Sequence, residues 1–196
     1  MNMKTATLKR TTKETEIEMT LTVSPETAGL SGTTGIGFFD HMLNSFAVHG
    51  NFALSLSMRG DLNVDGHHTV EDVGIVLGSL FAEVCGDKKG LKRYGEATIP
   101  MDESLASAVL DLSGRPFLVF DGEFSSPMVG AFDTQLTREF FRAFAFNAGM
   151  TLHLRVLYGD NDHHKIEACF KAVAHALSDA MSVRGDGVTL SAKGVL

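Results

Sequence analysis

Hydrophobic and polar positions alternate along this chain with two periods, and the order of those periods repeats. Ile17, Met19, Leu21 and Val23 alternate with Glu16, Glu18, Thr20 and Thr22, which predicts a strand with one wet face. Phe39, Met42, Leu43 and Phe46 then fall at helical spacing, and Gly50 ends that helix. Phe52, Leu54, Leu56 and Met58 alternate again. The polar loop Gly60-Asp61-Leu62-Asn63 follows, and a long helix is predicted from about His68 to Cys85.

The second half has the same order. Ala106, Ala108, Leu110 and Leu112 alternate, Phe117 to Phe120 reads as a strand, and Phe140 to Phe146 as a helix. Leu152, Leu154 and Val156 alternate, Gly159-Asp160-Asn161 makes a loop, and a helix runs from about His164 to Met181. Phe46-Ala47 aligns with Phe144-Ala145, and Leu54 and Leu56 align with Leu152 and Leu154. Two residues are then lost in the loop, after which His67-His68-x-x-Glu71 lands on His163-His164-x-x-Glu167. These coincidences predict an internal duplication: two similar halves, residues 1–90 and 91–196, in one compact unit.

Composition narrows the function classes. Hydrophobic residues make up 44% and charged residues 21%, as in ordinary globular proteins, so a packed core is expected. No apolar run approaches the roughly 20 residues of a membrane span, and Met1 to Arg10 has no apolar signal core, so a cytoplasmic protein is expected. Cys85 and Cys169 lie in apolar helical patterns without metal-type spacing and read as reduced core residues. The net charge of -7 argues against nucleic-acid or anionic-membrane partners. An anionic substrate would have to be captured by individual Arg and Lys side chains.

The histidines carry the chemistry. Four of the eight form the two matched pairs, each followed by a glutamate. On a helix the second histidine and the glutamate are three residues apart and share a face, so they could chelate one ion. The first histidine is rotated by roughly 100° and would serve a different ion. His41 aligns with Glu139 across the duplication. Pseudo-symmetry then predicts one metal held by His41, His68, Glu71 and His163, and another by Glu139, His164, Glu167 and His67. Nitrogen and oxygen ligands without thiolate fit Mn²⁺, Fe²⁺ or Zn²⁺, with six-coordination favouring manganese. His49, next to Gly50, also suits a polar cap, and His153 and His175 read as structural or exposed.

The residues resemble one family along essentially the whole chain, the imidazoleglycerol-phosphate dehydratases of histidine biosynthesis. The matching stretches begin with Thr12-Lys13-Glu14-Thr15, Gly37-Phe38-Phe39-Asp40-His41-Met42-Leu43 and Asp65-Gly66-His67-His68-Thr69-Val70-Glu71-Asp72. They continue with Arg93-Tyr94-Gly95, Pro100-Met101-Asp102-Glu103, Asp111-Leu112-Ser113-Gly114-Arg115-Pro116 and Asn161-Asp162-His163-His164. Glu167-Ala168-Cys169-Phe170-Lys171-Ala172 and Lys193-Gly194-Val195-Leu196 complete the set. Two positions depart from the family pattern: Glu139 stands where many relatives carry histidine, and Ala192 where a small hydroxyl residue is common.

The resemblance implies an α+β fold of two duplicated half-domains. Each would be a mixed β-sheet with two helices, the helices packed between the two sheets, in the manner of the ribosomal protein S5 domain 2-like folds. It implies a hydro-lyase that converts D-erythro-imidazole-glycerol phosphate to imidazole-acetol phosphate, with two Mn²⁺ per active site. The assembly it implies is an octahedral 24-mer with sites at subunit interfaces.

The metals would act as Lewis acids and as a template, with substrate imidazolate pushing out the hydroxyl. A carboxylate is needed for proton transfer, and Glu14 and a loosely held Glu167 are the candidates. Arg93, Arg115, Lys171, Ser191 and Lys193 would hold the phosphate, and His41, His49, His67, Glu71 and His163 would also contact substrate. A dinuclear hydrolase and a non-catalytic metal-binding shell protein are the alternatives. Binding of triazole, a mimic of the ring, to the manganese-loaded protein separates them from a dehydratase.

Overall fold

Two hairpins with the same pairing open the two halves of the chain. The computed structural model describes residues 4–185 and 187–192. The first half runs β1 (Lys4–Thr11), β2 (Thr15–Val23), β3 (Gly29–Ser31), α1 (Gly37–Gly50), β4 (Phe52–Gly60) and α2 (His67–Cys85). The second runs β5 (Tyr94–Met101), β6 (Ser104–Asp111) and β7 (Phe117–Asp121), then the small hairpin β8 (Met128–Val129) and β9 (Phe132–Asp133). It ends with α3 (Leu136–Ala148), β10 (Thr151–Tyr158) and α4 (Asp162–Ala180).

The first sheet has the order β1-β2-β4-β3 and the second β5-β6-β10-β7. In each, three antiparallel strands end in one parallel neighbour, β3 on β4 or β7 on β10. Register follows the apolar pattern. Met19 opposes Leu56 and Leu21 opposes Leu54, while Leu110 opposes Leu152 and Ala108 opposes Leu154, so each sheet turns one apolar face inward.

The helices fill the space between the two inner faces, α1 packing on α4 and α2 on α3. Phe39 of α1, Phe140 and Phe144 of α3 and Phe170 of α4 are fully buried. The Phe140 and Phe170 rings stack at 5.0 Å, and Phe39 meets Phe140 edge-on at 5.4 Å. The Phe39–Phe140 contact crosses between the halves and helps to join them into one core.

Five strands go beyond the sequence reading: the short β3, β8 and β9, and the two edge strands β1 and β5. The apolar signal of the edge strands is thin, since only Ala6 of β1 and Gly95 of β5 are buried. Gly95 has a specific reason to be glycine: a Cβ there would lie 1.9 Å from the Ala176 carbonyl oxygen of α4. Helix α3 begins at Leu136 rather than near Phe140, because Leu136 and Thr137 are buried ahead of the aromatic run.

Candidate metal centre

Side-by-side packing of α1 and α4 brings the two halves' chemistry together. His41 on α1 and His163 and Glu167 on α4 place a ligand atom each within 4.8 Å of one another, the one such triad among the described residues. Glu167 Oε2 lies 3.4 Å from His41 Nε2 and 3.3 Å from His163 Nε2. Its other oxygen, Oε1, is 2.6 Å from Lys171 Nζ. Burial alone would push this carboxyl up. The Lys171 ammonium and the two imidazoles outweigh burial and hold it below its usual value. Glu167 is thus a clamped carboxylate, where the sequence reading expected a loosely held one.

The contacts within each cluster differ from the sharing of ions that the sequence predicts. The glutamate faces the first histidine of its pair, four residues earlier. His163 meets Glu167, and His67 Nε2 lies 3.9 Å from Glu71 Oε2. A separation of four residues shares a helix face as well as three does, and here the second histidine has another partner. His68 Nδ1 is 2.9 Å from Asp61 Oδ2, and His164 Nδ1 is 2.7 Å from Glu103 Oε2. Those carboxylates raise both histidines above their ordinary value, the direct hydrogen bond being the largest cause in each case.

The counterpart of the triad across the duplication is His67, Glu71 and Glu139, at the packing of α2 on α3. Arg142 stands between its two acids, with Nε 2.9 Å from Glu139 Oε2 and Nη2 2.9 Å from Glu71 Oε1. One guanidinium therefore offsets two carboxylates there. Within a single chain the eight predicted ligands divide into the triad, this Arg142-bridged group, and His68 and His164 on their own acids.

Glu14 sits at the tip of the β1–β2 hairpin and is exposed. Thr12 Oγ1 shapes the tip by accepting from the Glu14 and Thr15 N–H groups at 3.1 and 2.9 Å. Thr15 Oγ1 donates to Asp72 Oδ2 of α2 at 2.5 Å, which ties the tip to the start of the histidine helix. The Glu14 charge adds to the elevation of His68, so the two lie in the same field.

Glu103 occupies the same place at the tip of the β5–β6 hairpin. Its Oε1 accepts from the Asp160 and Asn161 N–H groups at 3.2 and 2.8 Å. Asn161 N–H, then His164, hold its carboxyl well below the usual range.

The cationic candidates are placed differently from one another. Arg93 is buried, with Nε and Nη2 on the two oxygens of Asp111 at 2.6 and 3.0 Å, and Nη1 on the Leu190 carbonyl. It borders a groove of about 470 Å³ with Tyr94, Arg184, Leu190, Ser191 and Ala192. Arg115 is mostly exposed, and among the described residues its guanidinium reaches Asp111, at 3.6 Å. Lys171 faces Glu167 and also donates to Met101 Sδ at 3.4 Å. Lys193 lies outside the described residues.

His49 Nδ1 is 3.2 Å from His175 Nε2, on the same α1–α4 packing as the triad. Burial, then Lys171 and His175, lower the His49 value. His49 is therefore part of the helix packing rather than a simple end cap. Asp61, Glu103 and Arg142 were not assigned in the sequence. Asp61 and Glu103 stood in quoted stretches, but nothing in their spacing says which histidine they reach.

The family model described as imidazoleglycerol-phosphate dehydratase matches residues 34–177. An imidazoleglycerol-phosphate dehydratase of Limosilactobacillus fermentum is 55% identical over 99% of this chain and 100% of its own length. One from Pelobacter propionicus is 53% identical over 98% of this chain and 99% of its own. Among solved structures, the Staphylococcus aureus imidazoleglycerol-phosphate dehydratase superposes with a TM-score of 0.83 at 41% identity, covering 91% of this chain and 99% of that one. The Pyrococcus furiosus structure gives 0.83 at 32% identity, covering 96% and 100%.

Proposed function

The chain belongs to the imidazoleglycerol-phosphate dehydratase family, and from that premise we propose that it dehydrates D-erythro-imidazole-glycerol phosphate to imidazole-acetol phosphate in histidine biosynthesis. Members of this family are hydro-lyases by name, and no helix of this chain is long and apolar enough to cross a membrane. We read the protein as a cytoplasmic homo-oligomer, an octahedral 24-mer with active sites at subunit interfaces. The predicted ligands fall in two places within one chain, four on α1 and α4 and four on α2 and α3, which supports that reading, since neighbouring copies could complete each set.

The observation that carries the function is the His41–His163–Glu167 triad. Its donors, imidazole nitrogen and carboxylate oxygen without thiolate, suit Mn²⁺. A buried oxygen of Asp61, Oδ1, has no hydrogen-bond partner among the described residues, an arrangement beside His68 that a cation would offset. Two Mn²⁺ per site would be held by His41, His67, His68, Glu71, Glu139, His163, His164 and Glu167. When bound they supply Lewis acidity toward the substrate imidazole and a fixed template for it.

The chain's own residues account for the remaining steps. His163, Glu167 and Lys171 follow one another at four-residue steps on α4, a row spanning about 12 Å at 1.5 Å per residue. That length suits a substrate with its ring by the histidines and its phosphate by Lys171. His41, His49, His67 and Glu71 would contact the ring and glycerol portion. Arg93, Arg115, Lys171, Ser191 and Lys193 would receive the phosphate.

We assign proton transfer to Glu14, because Glu167 is clamped. Glu14 takes the proton from the carbon next to the one that loses hydroxide, and the enol so formed tautomerises to the ketone. The test is a dehydration assay on imidazole-glycerol phosphate with metal analysis of the same sample. Turnover that needs about two manganese ions per chain is expected, and full metal occupancy without turnover would overturn the reading.

A further inference from the structure

We propose that Asp61 and Glu103 are positioning residues for the metal centre, each fixing the second histidine of a pair by its Nδ1 edge so that Nε2 is the ligating atom. This rests on the metal-dependent reading above. The two contacts share their chemistry but not their origin. Asp61 follows β4 in the loop before α2, and Glu103 turns the β5–β6 hairpin, yet both place a carboxylate oxygen within 2.9 Å of Nδ1.

A carboxylate at that nitrogen fixes the ring's tautomer and makes the far nitrogen a better donor to a cation. Among the described residues, the acid paired with His164 Nε2 is Asp102, whose Oδ2 lies at 3.8 Å, beyond hydrogen-bond reach.

Each acid is itself restrained. Glu103 Oε1 takes the Asp160 and Asn161 N–H groups, which sets the approach to His164 at the start of α4. Asp61 keeps one oxygen on His68, while the other is buried with no hydrogen-bond partner among the described residues. That is a costly arrangement for a carboxylate unless positive charge resides on or beyond the ring it touches. An ordinary helix-start acid would instead cap backbone N–H groups. Asp61 does not, and Glu103 does so with one oxygen while giving its other to the histidine.

Calorimetric titration of the metal-stripped, assembled protein with Mn²⁺, without substrate, tests this. Asp61→Ala and Glu103→Gln are each expected to weaken manganese binding by about 10- to 100-fold at one class of site. Glu103→Gln keeps an oxygen for the Asp160 and Asn161 N–H groups and turns an amide toward His164. Asp61→Asn, which keeps an acceptor oxygen but no charge, should fall between Asp61→Ala and wild type, and it carries the test if the alanine variant does not fold.

The low-temperature spectrum of bound Mn²⁺ should change in both variants, a readout that a purely structural role would not move. Wild-type protein that takes up no manganese would overturn the metal reading and this proposal with it. Wild type that binds, alongside variants within twofold of it, would overturn the positioning role alone.

Discussion

Glu167 divides its two carboxylate oxygens between Lys171, at 2.6 Å, and the imidazoles of His41 and His163. The same lysine is the substrate-phosphate candidate on that face of α4, so one cation would serve both an internal acid and an incoming anion. Lys171→Met should therefore raise KM by about tenfold or more, the worth of one hydrogen bond to a charged group. It should also change manganese binding, because the cation that now occupies one oxygen of Glu167 is removed. Steady-state kinetics and metal titration on one preparation check this, and an unchanged KM would remove Lys171 from the phosphate set.

Glu14→Gln should lower kcat by roughly 10²- to 10⁴-fold, the usual worth of a positioned acid–base group. Manganese uptake and assembly should be unaffected, because no described residue depends on the Glu14 carboxylate for a hydrogen bond. Near-normal turnover with metals bound would return the proton transfer to another group.

The titrating groups give the metal-free protein a stability optimum. Glu167 and Glu103 are depressed in the fold, so their contribution is present above the ordinary value of 4.5 and lost as pH falls through their folded values. His68 and His164 are raised, so theirs is complete below the ordinary value of 6.5 and lost as pH rises through their folded values. Thermal unfolding in chelator should peak between those two values. Melting temperatures that climb steadily from pH 6.5 to 8.5 would contradict the histidine half of this account.

Gly95→Val should destabilise the fold by about 1–3 kcal/mol, the usual cost of overpacking, because the new Cβ would meet the Ala176 carbonyl at 1.9 Å. The strand cannot retreat without breaking its register with β6, where Gly95 opposes Leu110. Chemical denaturation measures the loss. A variant as stable as wild type would mean that α4 can move off the sheet at little cost.

Both cysteines should resist thiol reagents in the native protein. Burial pushes the Cys85 thiol up to about 11 and Cys169 up to about 12, which leaves almost no thiolate at neutral pH. Labelling should proceed only after unfolding, with both thiols then reacting. Rapid native labelling of either one would show that its helix opens locally.

Much of this molecule was legible in its pattern. The strands and helices whose apolar residues face the core follow from spacing alone, as Met19 against Leu56 and Leu110 against Leu152 illustrate. The edge strands β1 and β5 did not stand out, because only Ala6 and Gly95, both small, are fully buried in them, while Leu8, Ala97, Ile99 and Met101 are only partly covered.

At the centre, the duplication marked the histidine and glutamate clusters but not their pairing. His68 and His164 are claimed by Asp61 and Glu103 through tertiary contacts spanning 7 and 61 residues. No local helix rule contains that information. The reach of Arg142 to Glu71, 71 residues away, escaped for the same reason.

The two hairpin tips have a consequence for how one fold acquires unlike halves. Glu14 and Glu103 crown equivalent hairpins, yet Glu103 is occupied with His164 while Asp61 has taken over the matching duty toward His68. A repeated scaffold starts with two copies of every job. Once a neighbouring loop covers one of them, the residue originally in that post is at liberty to take up work its twin cannot do. Chemical asymmetry in such a protein then needs no new element, only a change in which acid tends which histidine.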